Sequence, residues 1–121
     1  MLGEGANIQA ETNDGRTALY CAAEKGHEAV VKLLLKAKAD VNVRDEDGAT
    51  VLYHAAEKGH GAVVKLLLKA NAEVNVTDKY GRTALYAAVK NRHEAVVRLL
   101  LEAKADVNGG FTVERQLCII R

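Results

Sequence analysis

The 121-residue chain has the size of one domain, and its 49% hydrophobic and 27% charged residues predict a packed core. Its net charge of +1 argues against nucleic-acid binding, which usually needs a clear basic excess. No apolar stretch approaches the roughly 20 residues that span a bilayer, and the two cysteines form no spaced framework. We therefore expect a cytoplasmic or nuclear protein that needs no membrane and no cofactor.

The first predicted elements, in chain order, are a turn and a short helix. Asn13-Asp14-Gly15 is a turn sequence. Thr17 is placed to cap a first helix with the sequence ALYCAAEK, whose apolar residues fall on one face. Gly26 follows and is expected to end this helix, as glycine commonly does.

A second helix is predicted from the sequence HEAVVKLLLKA, which begins at residue 27. The apolar side of this helix is predicted to carry Val30, Leu33, Leu34 and Ala37. The opposite side is basic, with Lys32 and Lys36. At about 1.5 Å per residue, both helices are only about 12–17 Å long, and isolated helices of that length are marginal in water. Their stability must therefore come from packing against neighbouring helices.

This block of a turn and two helices occurs three times. The segment GRTALY at 15–20 returns unchanged at 81–86, and GATVLY stands between them at 48–53. Three further series keep the same period of 33 residues: Thr17, Thr50 and Thr83; His27, His60 and His93; and Asn42, Asn75 and Asn108. A fixed period of this length predicts a stacked array, in which each unit covers the apolar face of the next.

The repeated unit GRTALYCAAEKGHEAVVKLLLKAKADVN resembles the ankyrin repeat, whose motif combines a turn, G-x-T-P-L-H-x-A-A, G-H, V-x-L-L-L and G-A-D-V-N. The resemblance covers residues 2–108, and three units in register make it specific. It implies an all-α fold, a solenoid of stacked helix-turn-helix units joined by β-turn or hairpin loops.

We expect a single ankyrin repeat domain over residues 1–121. Residues 1–11 match the end of a truncated repeat, residues 12–44, 45–77 and 78–110 are three full repeats, and residues 111–121 are a tail that we expect to form a capping half-repeat helix. Neither end is clearly polar, so we expect exposed apolar surface there. Copies of the chain could then associate through the repeat ends or the tail.

Two kinds of departure from the family motif recur. The motif histidine is replaced by Tyr20, Tyr53 and Tyr86, so the hydrogen bonds that this histidine makes in the family must be rebuilt or lost. The motif glycines are replaced at Lys38, Asn71, Arg92 and Lys104. Where such a site keeps a positive φ, a lysine costs about 1 kcal/mol relative to glycine.

The repeated histidines at 27, 60 and 93 invite a metal or catalytic interpretation. Packed helices lie about 8–10 Å apart, whereas zinc ligands lie about 2 Å from one ion, so these side chains cannot converge. We expect each histidine to begin a second helix and to bond nearby backbone. Cys21 and His54 could pair within the array, but no third catalytic member is evident. We therefore expect no metal site and no enzyme activity.

The tyrosines divide into two groups. Tyr20, Tyr53 and Tyr86 stand once per unit and are expected to fill the packing, with a ligand-stacking strip as the alternative. Tyr80 instead lies in the turn DKYG, and an exposed aromatic at a turn tip makes a good binding anchor. The alternative is an ordinary surface tyrosine. The tips also change from acidic DED at 45–47 to DKY at 78–80, which a solvated surface without function would explain as well.

The resemblance implies a non-catalytic scaffold that binds a protein partner on the concave face formed by turn tips and first helices. The candidate contact residues, carried over position by position, are Asn13, Asp14, Arg16, Glu24, Lys25, Glu46, Asp47, Ala49, Glu57, Lys58, Lys79, Tyr80, Arg82, Lys90 and Asn91. The alternative is an engineered or excised repeat fragment whose main property is stacking and self-association through uncapped ends.

Overall fold

The computed structural model describes residue 11 and residues 16–103, which contain six helices in three pairs. The pairs are α1 (Ala18–Glu24) with α2 (Glu28–Lys36), α3 (Val51–Glu57) with α4 (Gly61–Lys69), and α5 (Ala84–Lys90) with α6 (Glu94–Glu102). The predicted all-α solenoid is confirmed. The truncated repeat expected at 1–11 and the capping helix expected at 111–121 fall outside the described residues, residue 11 excepted.

The helices form two layers, with the first helix of each pair in one layer and the second helix in the other. In the first layer α3 packs between α1 and α5, and in the second layer α4 packs between α2 and α6. Alanine allows this close approach: Ala23, Ala55 and Ala88 are completely buried at the centre of the first layer. The core therefore runs continuously through the stack, as expected for units that cannot fold alone.

Each first helix begins at a capping threonine, as predicted. The hydroxyls of Thr17, Thr50 and Thr83 accept hydrogen bonds from the backbone N–H groups three residues later, at 3.3, 3.1 and 3.1 Å. These bonds satisfy donors that a helix start leaves without partners. All three threonines are buried, so the caps also lie inside the stack.

The predicted apolar face of α2 is partly wrong. Leu34 is buried, as is Val31, but Val30 is 45% exposed and Leu33 is 61% exposed. The position of Val30 corresponds to Val63 in the next repeat, which is only 1% exposed. The difference arises because α4 packs against α2, the second helix of the preceding repeat. No helix of a preceding repeat is described beside α2. A second helix thus has apolar residues on two faces, and the pattern within one helix cannot tell which face is buried against a neighbouring repeat.

Positive φ at the replaced glycines is confirmed for the described positions. Lys38, Asn71 and Arg92 have φ values of 70°, 67° and 59°. Left-handed backbone costs a non-glycine residue about 1 kcal/mol. Gly26 and Gly59 occupy the same position in the first and second repeats as Arg92 in the third, and their φ values are 74° and 75°.

We expect Arg92→Gly to raise the free energy of unfolding by about 1 kcal/mol, because glycine relieves the left-handed strain at an exposed site. Urea denaturation followed by circular dichroism would measure the change. Lys90→Gly serves as the control: it places glycine in helical backbone two residues earlier and should lower the same free energy by about 1 kcal/mol. Equal effects of the two variants would contradict this assignment of strain.

Candidate partner-binding surface

The turn tips between repeats are built around two aspartates that sequence reasoning did not single out. Asp45 Oδ1 accepts hydrogen bonds from the backbone N–H groups of Asp47 at 2.9 Å and Ala49 at 3.0 Å. In the next tip, Asp78 Oδ1 accepts from Tyr80 and Arg82, both at 2.9 Å. Each aspartate therefore fixes the conformation of its own tip.

Neighbouring tips are joined to each other. The backbone N–H of Lys79 donates to the carbonyl oxygen of Asp47 at 2.8 Å, and the Lys79 ammonium lies 2.8 Å from the Asp47 carboxylate. The Asp47 carboxylate raises the pKa of Lys79, so this lysine stays charged. Farther along the loops, the Asn42 side chain accepts a hydrogen bond from the backbone of Glu73 at 2.9 Å. The loops thus form one continuous edge along the stack.

Tyr80 is 54% exposed in the tip that follows Asp78, which confirms its prediction as an exposed aromatic. The Arg82 guanidinium carbon lies 4.8 Å from the centre of the Tyr80 ring, and the Lys79 ammonium lies 5.3 Å from it. Arg82 is itself held by Asp78, whose carboxylate accepts from Arg82 Nε at 2.9 Å. Two cations thus lie within cation–π distance of the Tyr80 ring at the outer edge of the turn tips, here called the rim.

Beneath the tips lies a buried polar cluster of Tyr20, Asp45 and His54. The Tyr20 hydroxyl donates to Asp45 Oδ2 at 2.5 Å, and His54 Nε2 lies 3.2 Å from the same oxygen. The Tyr20 and His54 rings pack with their centres 4.8 Å apart. The cluster joins α1 of one repeat to the tip and first helix of the next. Tyr20, at the position of the motif histidine, therefore bonds to the next repeat.

The cluster shifts the pKa values of its members. Burial raises the pKa of Tyr20 far above its ordinary value, and the hydrogen bond to Asp45 raises it further. Burial also acts to raise the pKa of Asp45, but the hydrogen bonds from Tyr20, the tip backbone and His54 together lower it below 3.8. Tyr53, buried in the next repeat, has its pKa raised to about 12 by burial.

We expect the free energy of unfolding to fall as the pH rises above about 10. The unfolded chain ionises its tyrosines near the ordinary value of 10.0, whereas folded Tyr20 and Tyr53 keep their protons to higher pH. Stability is therefore complete below pH 10 and is lost as the pH rises through the folded values. Urea titrations between pH 8 and pH 12 would measure it, and Tyr53→Phe should make the decline shallower. An identical decline in that variant would contradict the explanation.

The cysteine–histidine pair considered from the sequence is not formed. His54 contacts Asp45, Glu57 and two tyrosine rings, and no hydrogen bond joins it to Cys21, which is a half-buried free thiol. His60 and His93 begin second helices as predicted, and their Nε2 atoms lie 3.0 Å from the carbonyl oxygens of Glu24 and Glu57. The backbone they bond belongs to the preceding repeat. Within residues 16–103, no group of His, Cys, Asp or Glu side chains could hold a metal ion.

The predicted contact residues lie at different depths. Those on the surface are Lys25, Glu46, Lys58, Lys79, Tyr80, Lys90 and Asn91, and those half-buried are Arg16, Glu24, Asp47, Glu57 and Arg82. Asn13 and Asp14 fall outside the described residues. Ala49 is the exception: it is 3% exposed and packs with Tyr53 and Ala87. Its short side chain stays in the core, where Arg82 at the matching position reaches over the tyrosine rings.

None of the helices described is long and apolar enough to cross a membrane. The first helices have seven residues each and the second helices have nine.

Comparison with known proteins identifies the repeat. The family model for ankyrin repeats in three copies matches residues 38–109, more than half of the chain, and the model for a single ankyrin repeat matches residues 14–46. Cortactin-binding protein 2 of Plecturocebus moloch is 51% identical over 39 residues, and that of Dasypus novemcinctus is 49% identical over 39 residues. Each match covers 32% of this chain and 2% of the relative's length. With its period, capped helix pairs and two matching family models, the chain belongs to the ankyrin-repeat family.

Proposed function

We propose that the chain is a non-catalytic scaffold that binds a protein partner along the turn tips and first helices. The observation that carries this proposal is Tyr80, a half-exposed aromatic side chain in a turn tip, with the cations of Arg82 and Lys79 near its ring. Ankyrin-repeat proteins are generally interaction modules without catalysis. The two similar proteins are named for binding cortactin, which supports a protein as the class of partner.

Tyr80 has the properties of an interface anchor. Large aromatic side chains dominate binding energy at interfaces, and a side chain already ordered loses less entropy when it binds. Tyr80 is 54% exposed, and the Arg82 guanidinium carbon, on a side chain fixed by Asp78, lies 4.8 Å from its ring centre. A partner pocket that covers this ring would gain apolar contact without rearranging the tip.

Charge along the same surface selects the partner's orientation. The tip at 45–47 presents the exposed Glu46, whereas Asp47 is already paired with Lys79, and Arg82 with Asp78. We infer that the partner carries a basic group opposite Glu46 and an apolar pocket over Tyr80. Complementary charges of this kind steer association and fix the register.

The test is capture of partners from a cell extract by the full chain and by the triple variant Tyr80→Ala, Lys79→Ala, Glu46→Ala. All three side chains are exposed, so the variant keeps the fold, and Arg82 stays in place to pair with Asp78. We expect the triple variant to lose the partner. The control, Lys36→Ala with Glu94→Ala, changes exposed charges on the second helices and should retain it. A partner that survives the triple variant would rule out this surface.

Self-association is a second candidate, favoured by one observation. Val30 and Leu33 are 45% and 61% exposed, although the same face is covered in later repeats. Leu101 on α6, at the other end of the described array, is 41% exposed. We infer that α6 of a second copy covers α2, as α2 covers α4 within the chain. Light scattering over a concentration series tests this inference: Leu33→Lys should remove the oligomers, and a monomer at high concentration would refute it.

A further inference from the structure

A groove runs across the second helices, on the side of the stack away from the turn tips and first helices. Residues of α2, α4 and α6 line it, with α4 between the other two helices. Its floor includes Gly61, Ala62 and Ala95, which are small and leave the groove open. The contact surface proposed above uses none of these residues.

Gly61, the first residue of α4, leaves open space in the lining of this groove. The first residue of α2 is Glu28 and that of α6 is Glu94, but α4 begins with glycine at the matching position. A Cβ atom built on Gly61 would meet nothing within 4 Å. The middle repeat therefore lacks both the bulk and the negative charge that its neighbours have there.

A row of cations crosses the groove. Lys32, Lys65 and Arg98 occupy the same position in three successive repeats, are exposed, and all line the groove. Among the described residues, no acidic side chain forms an ion pair with any of them. Because packed helices lie about 8–10 Å apart, the row presents one positive charge about every 8–10 Å along the stack.

We propose that this groove binds an extended acidic segment of a partner protein. In an extended chain of the polyproline type, side chains three residues apart recur about every 9 Å, which matches the row of cations. Carboxylates at that spacing would each reach one cation. The residues between them would lie on the small side chains of the floor, where Gly61 gives the backbone room to approach.

The lining favours a peptide over a continuous polyanion. Glu28 begins α2 and Glu102 ends α6, so a carboxylate lies at each of two opposite ends of the groove. Nucleic acid and anionic lipid surfaces carry closely spaced negative charges, which these carboxylates would repel. A peptide whose carboxylates are spaced to match the cation row places no negative charge beside Glu28 or Glu102.

Fluorescence anisotropy with a labelled synthetic peptide tests the proposal. The probe carries glutamate at every third position between alanine and serine, and a second peptide of the same composition carries its glutamates in one block. We expect the spaced peptide to bind at least about fivefold more tightly, with affinity falling as salt rises. Absence of binding, or equal binding of the two peptides, would overturn the proposal.

Variants at position 61 separate binding from folding. Gly61→Glu restores the side chain of the neighbouring repeats in open space and should weaken peptide binding about tenfold. Its thermal stability should equal or exceed that of the parent chain, since a glutamate replaces glycine in the first turn of a helix. Gly61→Ala should be at least as stable as the parent chain and should still bind the peptide. If Gly61→Glu binds like the parent chain, the groove is not the site.

A matched pair of charge reversals locates the charge effect. Lys65→Glu with Arg98→Glu should weaken binding about tenfold or more, whereas Lys36→Glu with Arg92→Glu makes the same change at exposed positions outside the groove lining and should leave it intact. Anionic lipid vesicles and single-stranded RNA are run in parallel. Tighter binding of either one, lost in the same groove variants, would assign the groove to that class and overturn the peptide proposal.

Discussion

Asp45→Ala is expected to lower the free energy of unfolding by about 3–4 kcal/mol, the largest effect of any single substitution considered. The Asp45 carboxylate accepts hydrogen bonds from two backbone N–H groups of the tip, and it is the partner of the Tyr20 hydroxyl and His54. Removing it leaves the hydroxyl of Tyr20, a fully buried residue, without its acceptor. Such an unsatisfied group alone costs about 1–3 kcal/mol.

The measurement for Asp45→Ala is urea denaturation, with Glu46→Ala as the control. Glu46 is the adjacent acidic residue, but it is exposed, so its loss should change the free energy by less than about 0.5 kcal/mol. Similar values for the two variants would show that the buried cluster does not join the repeats energetically.

The same residue predicts a dependence on acidic pH. The pKa of Asp45 is lower in the folded chain than its ordinary value of 3.8, so the unfolded chain takes up the proton first. The stability that Asp45 contributes is therefore complete above about pH 5 and is lost as the pH falls through the folded pKa. Between pH 5 and pH 3, Asp45→Ala should lose less stability than the parent chain. A parallel decline in both would contradict the assignment.

Two glycines only two residues apart are expected to respond to alanine with opposite signs. Gly59→Ala should lower the free energy of unfolding by about 2–3 kcal/mol, because φ is +75° and the new Cβ would lie 2.7 Å from the His93 ring. Displacing that ring breaks its hydrogen bond to the Glu57 carbonyl oxygen. Gly61→Ala should instead raise the free energy by up to about 1 kcal/mol, since Gly61 lies in a helix with open space around it.

This pair is its own control, because both variants add one methyl group to the same loop and helix start. Urea denaturation of the two variants beside the parent chain measures the difference. Two destabilising changes of similar size would mean that the histidine does not lock one repeat to the preceding one. Arg92, at the matching position of the third repeat, is exposed at the end of the described array, which explains why a side chain is accepted there.

Much of the fold could be predicted because it follows from local chemistry repeated at a fixed period. Thr17 as a cap, Gly26 as a helix end and the exposed Tyr80 all depend on short-range rules, and the structure confirms them. The role of Asp45 could not be found in this way. A signal existed, because Asp78 occupies the same position one repeat later, but Thr12 interrupts the series in the first repeat.

What could not be predicted depends on contacts between repeats. Val63 is buried because α4 packs against α2, whereas the matching Val30 is exposed, and no pattern within one helix reveals this difference. Ala49 has the sequence position of a tip residue, yet it is buried because its side chain is too short to leave the core. The bonds from His60 and His93 to the preceding repeat likewise need the spacing of the stack.

Site-specific photo-crosslinking from the tip tests the central claim most directly, that the rim around Tyr80 meets a protein partner. A photoreactive phenylalanine derivative replaces Tyr80 in one full-length protein and Glu94, exposed at the start of α6, in another. After irradiation in cell extract, we predict a discrete adduct from position 80, which excess unlabelled chain competes away, and none from position 94. Failure to form an adduct at position 80, or equal adducts from both positions, would contradict the claim.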